Sequence, residues 1–139
     1  MVALVALTAG CGESSAGSDA DPEVLRLGEE VYQATCASCH GPEGEGQPNW
    51  TQRGPDGVYP APPHDSTGHT WHHADVDLIE IITRGGQAVY GSEELPSGMP
   101  AFGDVLTDDE IEAVLEYIKT FWGDEERAFQ ERLNEQRRQ

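Results

Sequence analysis

The chain is short of cysteine, of cations, of aromatic rings and of long apolar runs, and each shortage closes off a class of protein. Three cysteines in 139 residues are too few for the disulfide framework that staples small secreted domains. Eight Lys and Arg stand against 26 Asp and Glu, a formal net charge of -18. A field of that sign repels nucleic acid and anionic lipid headgroups and draws in a basic protein partner, besides keeping the chain in solution. Beyond the first ten residues no stretch is long and apolar enough to cross a bilayer. A hydrophobic content of 37 per cent with 7 per cent aromatic makes a modest core for the one domain that this length allows. Sixteen glycines and nine prolines imply long, turn-rich connections, which in a small domain call for a metal or cofactor as staple once disulfides are excluded. There is no internal repeat.

What is present begins with an uncharged, mostly apolar segment over residues 1–10, MVALVALTAG, ending in small residues ahead of Cys11. It reads as an export signal, absent from the mature protein. No Lys or Arg precedes the apolar run, which points to a start upstream of Met1. Leu7-Thr8-Ala9-Gly10-Cys11 resembles a bacterial lipobox, with Thr8 where leucine is usual, which implies acylation of Cys11 as the new N-terminus. An ordinarily cleaved signal or a free thiol is the alternative. Residues 11–20 then form a Ser-, Gly- and acid-rich tether with too little apolar surface to order itself.

Residues 21–123 read as the folded domain. Asp21 is a good N-cap, Pro22 fits the first helical position and Glu23 complements the helix dipole. Val24, Leu25, Leu27, Gly28, Val31 and Tyr32 follow at helical spacing and define a buried face that runs into Cys36. Between Gly41 and Trp71 there is only loop, rich in Gly and Pro, of a length that makes sense in a compact domain when it wraps a ligand. Val76, Leu78, Ile79, Ile81 and Ile82 suit a helix over Ala74 to Arg84 closed by Gly85, and a glycine-rich connection leads on to Met99. Thr107 and Glu110 have capping-box spacing, and Ile111, Val114, Leu115, Ile118 and Trp122 predict a helix from about Asp108 to Phe121. Gly123 breaks it. Residues 124–139 are dominated by Glu, Arg and Gln with Phe129 and Leu133 as anchors, the pattern of a solvated helix or frayed end.

The chemistry lies in Cys36-Ala37-Ser38-Cys39-His40, a C-x-x-C-H pentad. This is the attachment sequence of haem c: two thiols add to the vinyl groups and the histidine ligates iron from one side. A dithiol redox site would want a strand before the motif and a helix after it, whereas here a helix precedes it and a glycine-rich loop follows. A zinc site from Cys36, Cys39, His69 and His73 would need a gap about twice the usual one. The iron's sixth position wants a ligand, and Met99 is the only methionine after the leader; Gly98 allows close approach to a flat ring and Pro100 fixes the backbone. A thioether opposite imidazole favours ferrous iron, as a carrier requires. Met99 as ordinary packing beside Phe102 is the plain alternative.

His64, His69, His72 and His73 surround Trp71 within ten residues. They make a copper or zinc site conceivable. The simpler reading gives one or two of them, with Trp71 and Arg53, hydrogen bonds to the haem propionates. Any of the four also competes with Met99 for the iron, and bis-histidine ligation would lower the potential.

Taken in order, a helix, CASCH, a glycine-rich loop, GMPAF and DVLTDDEIEAVLEYIKTFW resemble the class I monohaem cytochrome c family from Glu23 to Trp122. The resemblance implies an all-α fold of three to five helices wrapped around one covalently bound haem, its first and last helices crossing where Gly28 and Tyr32 meet Val114 and Tyr117. It also implies a proline whose carbonyl accepts the axial histidine's N–H; Pro60, Pro62 and Pro63 lie in the right region, and Pro62 is taken. The segment Pro60 to Asp75 is similar to that of a group of bacterial membrane-bound cytochromes c. The implied function is single-electron transfer, as carrier or docking subunit of an extracytoplasmic chain, on the periplasmic or outer face of the cytoplasmic membrane, without catalysis of its own. A haem enzyme or sensor with an open iron position and a metal-handling domain built on the histidines are the competing readings.

Overall fold

The computed structural model describes residues 20–139. The expected signal segment, the acylated Cys11 and all but the last residue of the tether lie outside the described residues.

Helix α1, Pro22–Val31, starts where the sequence says it should: the Asp21 carboxylate accepts from the Glu23 amide at 2.8 Å, with proline in the first turn. The rod does not end at Val31. It widens into a π-turn over Tyr32–Cys36 and resumes as α2, Ala37–His40. Thr35 explains the widening: its hydroxyl bonds to the Val31 carbonyl, the acceptor that the Thr35 amide would take in an α-helix. The Ala37 amide reaches back five residues to Tyr32 instead. The π-turn leads straight into the pentad, and nothing in the periodicity announced it.

Helix α3 spans Asp75–Arg84 and stops at Gly85, whose φ of 82° is the left-handed value that favours glycine. One further turn, α4, Gly86–Val89, interrupts the connection expected to be plain loop. Helix α5, Asp108–Ile118, opens on the full Thr107–Glu110 capping box, and a 3₁₀ turn, Lys119–Phe121, extends it to the predicted end. Helix α6 covers Asp124–Arg137. A 3₁₀ turn at Thr70–His72 is the remaining helical piece. Among the described residues there are no strands, only an isolated bridge between Tyr59 and Ser97. The fold is all-α; since α1 and α2 are one rod, the α-helical pieces number five.

The core gathers Val31, Tyr32, Leu78, Ile82, Ile111, Val114, Leu115, Ile118 and Trp122. Its centre is the crossing of α1 on α5, and Gly28 makes that crossing possible. A Cβ there would stand 2.1 Å from the Ala113 carbonyl oxygen and 2.8 Å from the Tyr117 Cβ. The nearest backbone is thus that of Ala113, one residue before Val114, while Val114 is wholly buried in the cluster beneath. The Tyr32 ring packs on Tyr117 and Phe121, each with centroids 5.4 Å away. One residue expected on a buried face is not there: Val24 is 37 per cent exposed. It sits in the first turn of its helix and borders an open groove with Leu27, Ile79 and Leu115.

The C-terminal segment is a helix over nearly its whole length, held by more than its two apolar anchors. Phe129 stands edge-on to Trp71 at 5.4 Å. Behind it, the Asp75 carboxylate receives Lys119 Nζ at 2.9 Å, Gln130 Nε2 at 2.5 Å and Asn134 Nδ2 at 3.0 Å, and the Asn134 side chain accepts from the Asp75 amide at 2.7 Å. Gln130 is buried, which the polar composition of the segment concealed.

Candidate functional site

The π-turn and α2 deliver Cys36, Cys39 and His40 to one end of the α1–α5 crossing. Both cysteines are unpaired; Cys36 is half-buried and Cys39 exposed. Burial, and then the neighbouring Cys39, push the Cys36 thiol up to about 11. This is the reverse of a dithiol redox site, which needs a thiolate at neutral pH.

His40 is buried, and its Nδ1 lies 2.8 Å from the Pro62 carbonyl oxygen. A carbonyl only accepts, so the proton is on Nδ1 and the lone pair is on Nε2, the state of an imidazole ready to bind a metal. Burial lowers the His40 pKa and the bond to Pro62 partly opposes it. Loop 41–73 holds Pro62 in place by doubling back on itself. The Gly46 amide donates to the His40 carbonyl at 2.7 Å, and Gln47 donates to Ala61 at 2.9 Å. Gly46 has a φ of 69°, and a Cβ on it would stand 2.4 Å from the Pro63 nitrogen, so the two passes of the loop touch at a position only glycine fits.

Of the other predicted residues, Met99 is half-buried and packs against the core together with Phe102, Leu106, Trp71 and Ile79. Its backbone is fastened at both ends: the amide donates to Ser97 Oγ at 3.3 Å and the carbonyl accepts from Gly86 at 3.2 Å. Arg53 donates to the carbonyls of Glu93 and Glu94 at 2.9 and 2.7 Å and lies over the Tyr59 ring, bracing two loops.

The four histidines separate. His64 points inward, its ring stacked on that of His40 at 4.0 Å and its Nδ1 2.9 Å from Thr70 Oγ1. Burial, reinforced by His40 and His69, holds its pKa well below the usual value. Two rings stacked side by side cannot meet one metal from opposite faces, because ligands in trans lie end to end. His72 lies against Trp71 and Phe129, and His69 and His73 meet edge to face at 5.5 Å. Burial lowers the pKa of both members of that pair. Among the described residues no three His, Cys, Asp or Glu side chains converge as a metal ion requires.

The donor set fits haem. Two free thiols at the attachment spacing precede an imidazole whose Nε2 is unprotonated. Trp71 supplies a second observation: its Nε1–H is buried and finds no acceptor, unlike any other buried side-chain polar atom of the described residues. A buried donor left alone costs about 1–3 kcal/mol, and a carboxylate of the cofactor would satisfy it. The sequence missed the roles of Thr70, Gly44 and Trp122 around His64. A buried threonine six residues after a histidine carries no recognisable pattern, and only the loop's path brings them together.

The all-helical fold and this donor set define a class I monohaem cytochrome c. A family model described as cytochrome c oxidase, cbb3-type, subunit III matches residues 23–118, and the chain belongs to that family. It is 33% identical over 101 residues to the fructose dehydrogenase cytochrome subunit of Gluconobacter japonicus, covering 69% of this chain and 18% of that protein. It is 30% identical over 107 residues to the cbb3-type cytochrome c oxidase subunit CcoP of Azospirillum sp. (strain B510), covering 77% and 32%. Against the chloroplastic cytochrome c6 of Chlamydomonas reinhardtii it is 28% identical over 118 residues, covering 85% and 64%. The chain therefore spans under two thirds of each of these relatives. No solved structure matches it. As a member of this family the protein carries covalently bound haem c. No helix of the described residues is long and apolar enough to cross a membrane.

Proposed function

We propose that this chain is a one-electron relay subunit, with haem attached through Cys36 and Cys39 and iron held between His40 and Met99, and that it catalyses no reaction of its own. The bond from His40 Nδ1 to the Pro62 carbonyl carries this reading, because it leaves Nε2 unprotonated on the residue that follows the two free thiols of the pentad. Bound haem supplies a one-electron couple at iron. The protein's part is to fix the ligands so that little moves when the charge changes. His40 is fixed through its bond to Pro62. Met99 is fixed through its fastened backbone and by packing, partly buried, against the core beside Phe102 and Leu106. Trp71, whose buried N–H has no partner, would donate to a carboxylate of the cofactor.

Two of the similar proteins are named as subunits of a dehydrogenase and an oxidase, which supports a place within such a complex, outside the cytoplasm or against a membrane. The charge of -18 supports a basic docking surface on the partner. Acylation of Cys11 would hold the domain at the membrane by the tether of residues 11–20. An optical and redox titration of the haem-loaded protein tests the relay: low-spin ferric iron with a weak red methionine–iron band is expected. High-spin iron that binds peroxide rapidly would replace the relay with an enzyme. Cys11→Ser in a host with lipoprotein machinery tests the anchor, with release from the membrane fraction expected.

A further inference from the structure

His40 has two neighbours able to orient its ring, and they do different work. The Pro62 carbonyl meets Nδ1 at 2.8 Å. One hydrogen bond fixes a direction but leaves rocking of the ring about that line soft. The second neighbour is His64, whose ring lies on the face of His40 with centroids 4.0 Å apart and planes 21° from parallel. A flat surface against one face opposes the rocking that a hydrogen bond permits.

His64 is itself unable to follow such a motion. Its Nδ1 is 2.9 Å from the hydroxyl of buried Thr70. Its amide donates to the Gly44 carbonyl at 2.7 Å, and its carbonyl accepts from Trp122 Nε1 at 2.7 Å. The edge of Tyr32 closes another side, with centroids 6.1 Å apart. Through Trp122 the residue is tied to the segment after α5, and through Gly44 to the loop that follows the pentad. We propose that His64 is a positioning residue that sets the plane of the His40 imidazole. The proposal rests on the reading of His40 as the iron ligand. An axial imidazole interacts with iron unequally in its plane and across it, so the ring plane orients the magnetic axes of ferric iron. The consequence is spectroscopic as well as structural.

The test uses the full, haem-loaded chain with His64→Leu, His64→Phe and Thr70→Val, reading ferric g-anisotropy, the proton shifts of the haem methyl groups and Tm. His64→Leu removes the flat face and should reorder the methyl shifts and change the g-anisotropy. His64→Phe keeps a flat face and should stay near the wild-type pattern. Thr70→Val releases the anchor and should move the pattern part of the way. If His64→Leu and Thr70→Val lower Tm but leave both spectra in place, His64 is packing alone and the proposal fails. Should His64→Leu not load haem, the other two decide: a larger shift in Thr70→Val than in His64→Phe upholds the proposal, and no shift in Thr70→Val overturns it. Wild-type protein lacking hyperfine-shifted ring protons of His40 would instead remove the ligation reading, a failure visible without any substitution.

Discussion

His40 Nδ1 and the Pro62 carbonyl oxygen stand 2.8 Å apart across 22 positions of chain, and Pro63 keeps them so. A residue that precedes proline is confined to extended backbone, which fixes where the Pro62 carbonyl points. Pro63→Ala frees that carbonyl. A weaker bond at Nδ1 makes the imidazole a poorer donor, which stabilises ferric iron less, so the reduction potential should rise. Protein-film voltammetry checks the sign, and an unchanged or lower potential would show that the carbonyl does not tune the ligand.

The covalent link should depend on both thiols of the pentad. Cys36→Ala or Cys39→Ala alone leaves one thioether and should retain part of the haem through acid–organic extraction, whereas the double variant should lose all of it. Mass spectrometry of the intact chain reads the result directly.

Gly28→Ala tests the helix crossing. Because the new Cβ would meet the Ala113 carbonyl at 2.1 Å and the carbonyl carbon at 2.7 Å, the clash is with backbone and no rotamer relieves it. The helices must part, at a cost of about 3 kcal/mol. Guanidinium unfolding of the haem-loaded protein should show a lower midpoint with an unchanged slope.

The C-terminal helix is held at Asp75, so Asp75→Ala should undock it. The carboxylate's loss removes the acceptor shared by Gln130, Asn134 and Lys119, worth about 2 kcal/mol, and Phe129 should then expose Trp71. Hydrogen exchange over residues 124–137 should speed up well before the rest of the domain. Uniform acceleration across the whole chain would mean that the helix is part of the single cooperative unit.

How much of this was written in the sequence follows from the range of each interaction. The start of α1 at Asp21, the stop at Gly85 and the Thr107–Glu110 box are decided within a few residues, and their sequence signals are correspondingly clear. The pentad is equally local. The π-turn depends on one hydroxyl bonding one carbonyl, a choice Thr35 makes in this setting and elsewhere need not. The docking of α6 and the stacking of His64 on His40 rest on contacts 55 and 24 residues long, between polar groups whose spacing has no period. Val24 is exposed for a related reason: helical spacing gives the face of a residue but not how far the partner helix extends to cover it.

Met99 decides between relay and enzyme. With its sulfur on the iron, the ferric protein is low-spin, shows the weak red band and takes up cyanide slowly. Met99→Ala should remove that band and open the position, and the potential should fall, because a thioether favours the ferrous state more than water or a substituting imidazole does. His64 lies against the face of His40 at 4.0 Å, on the wrong side to replace the lost sulfur, so the variant should become high-spin rather than bis-histidine unless His69, His72 or His73 moves. Magnetic circular dichroism in the near infrared separates these states. Unchanged spin state and potential in Met99→Ala would transfer the ligand role to one of those three histidines, to be identified by the single substitution that turns the iron high-spin.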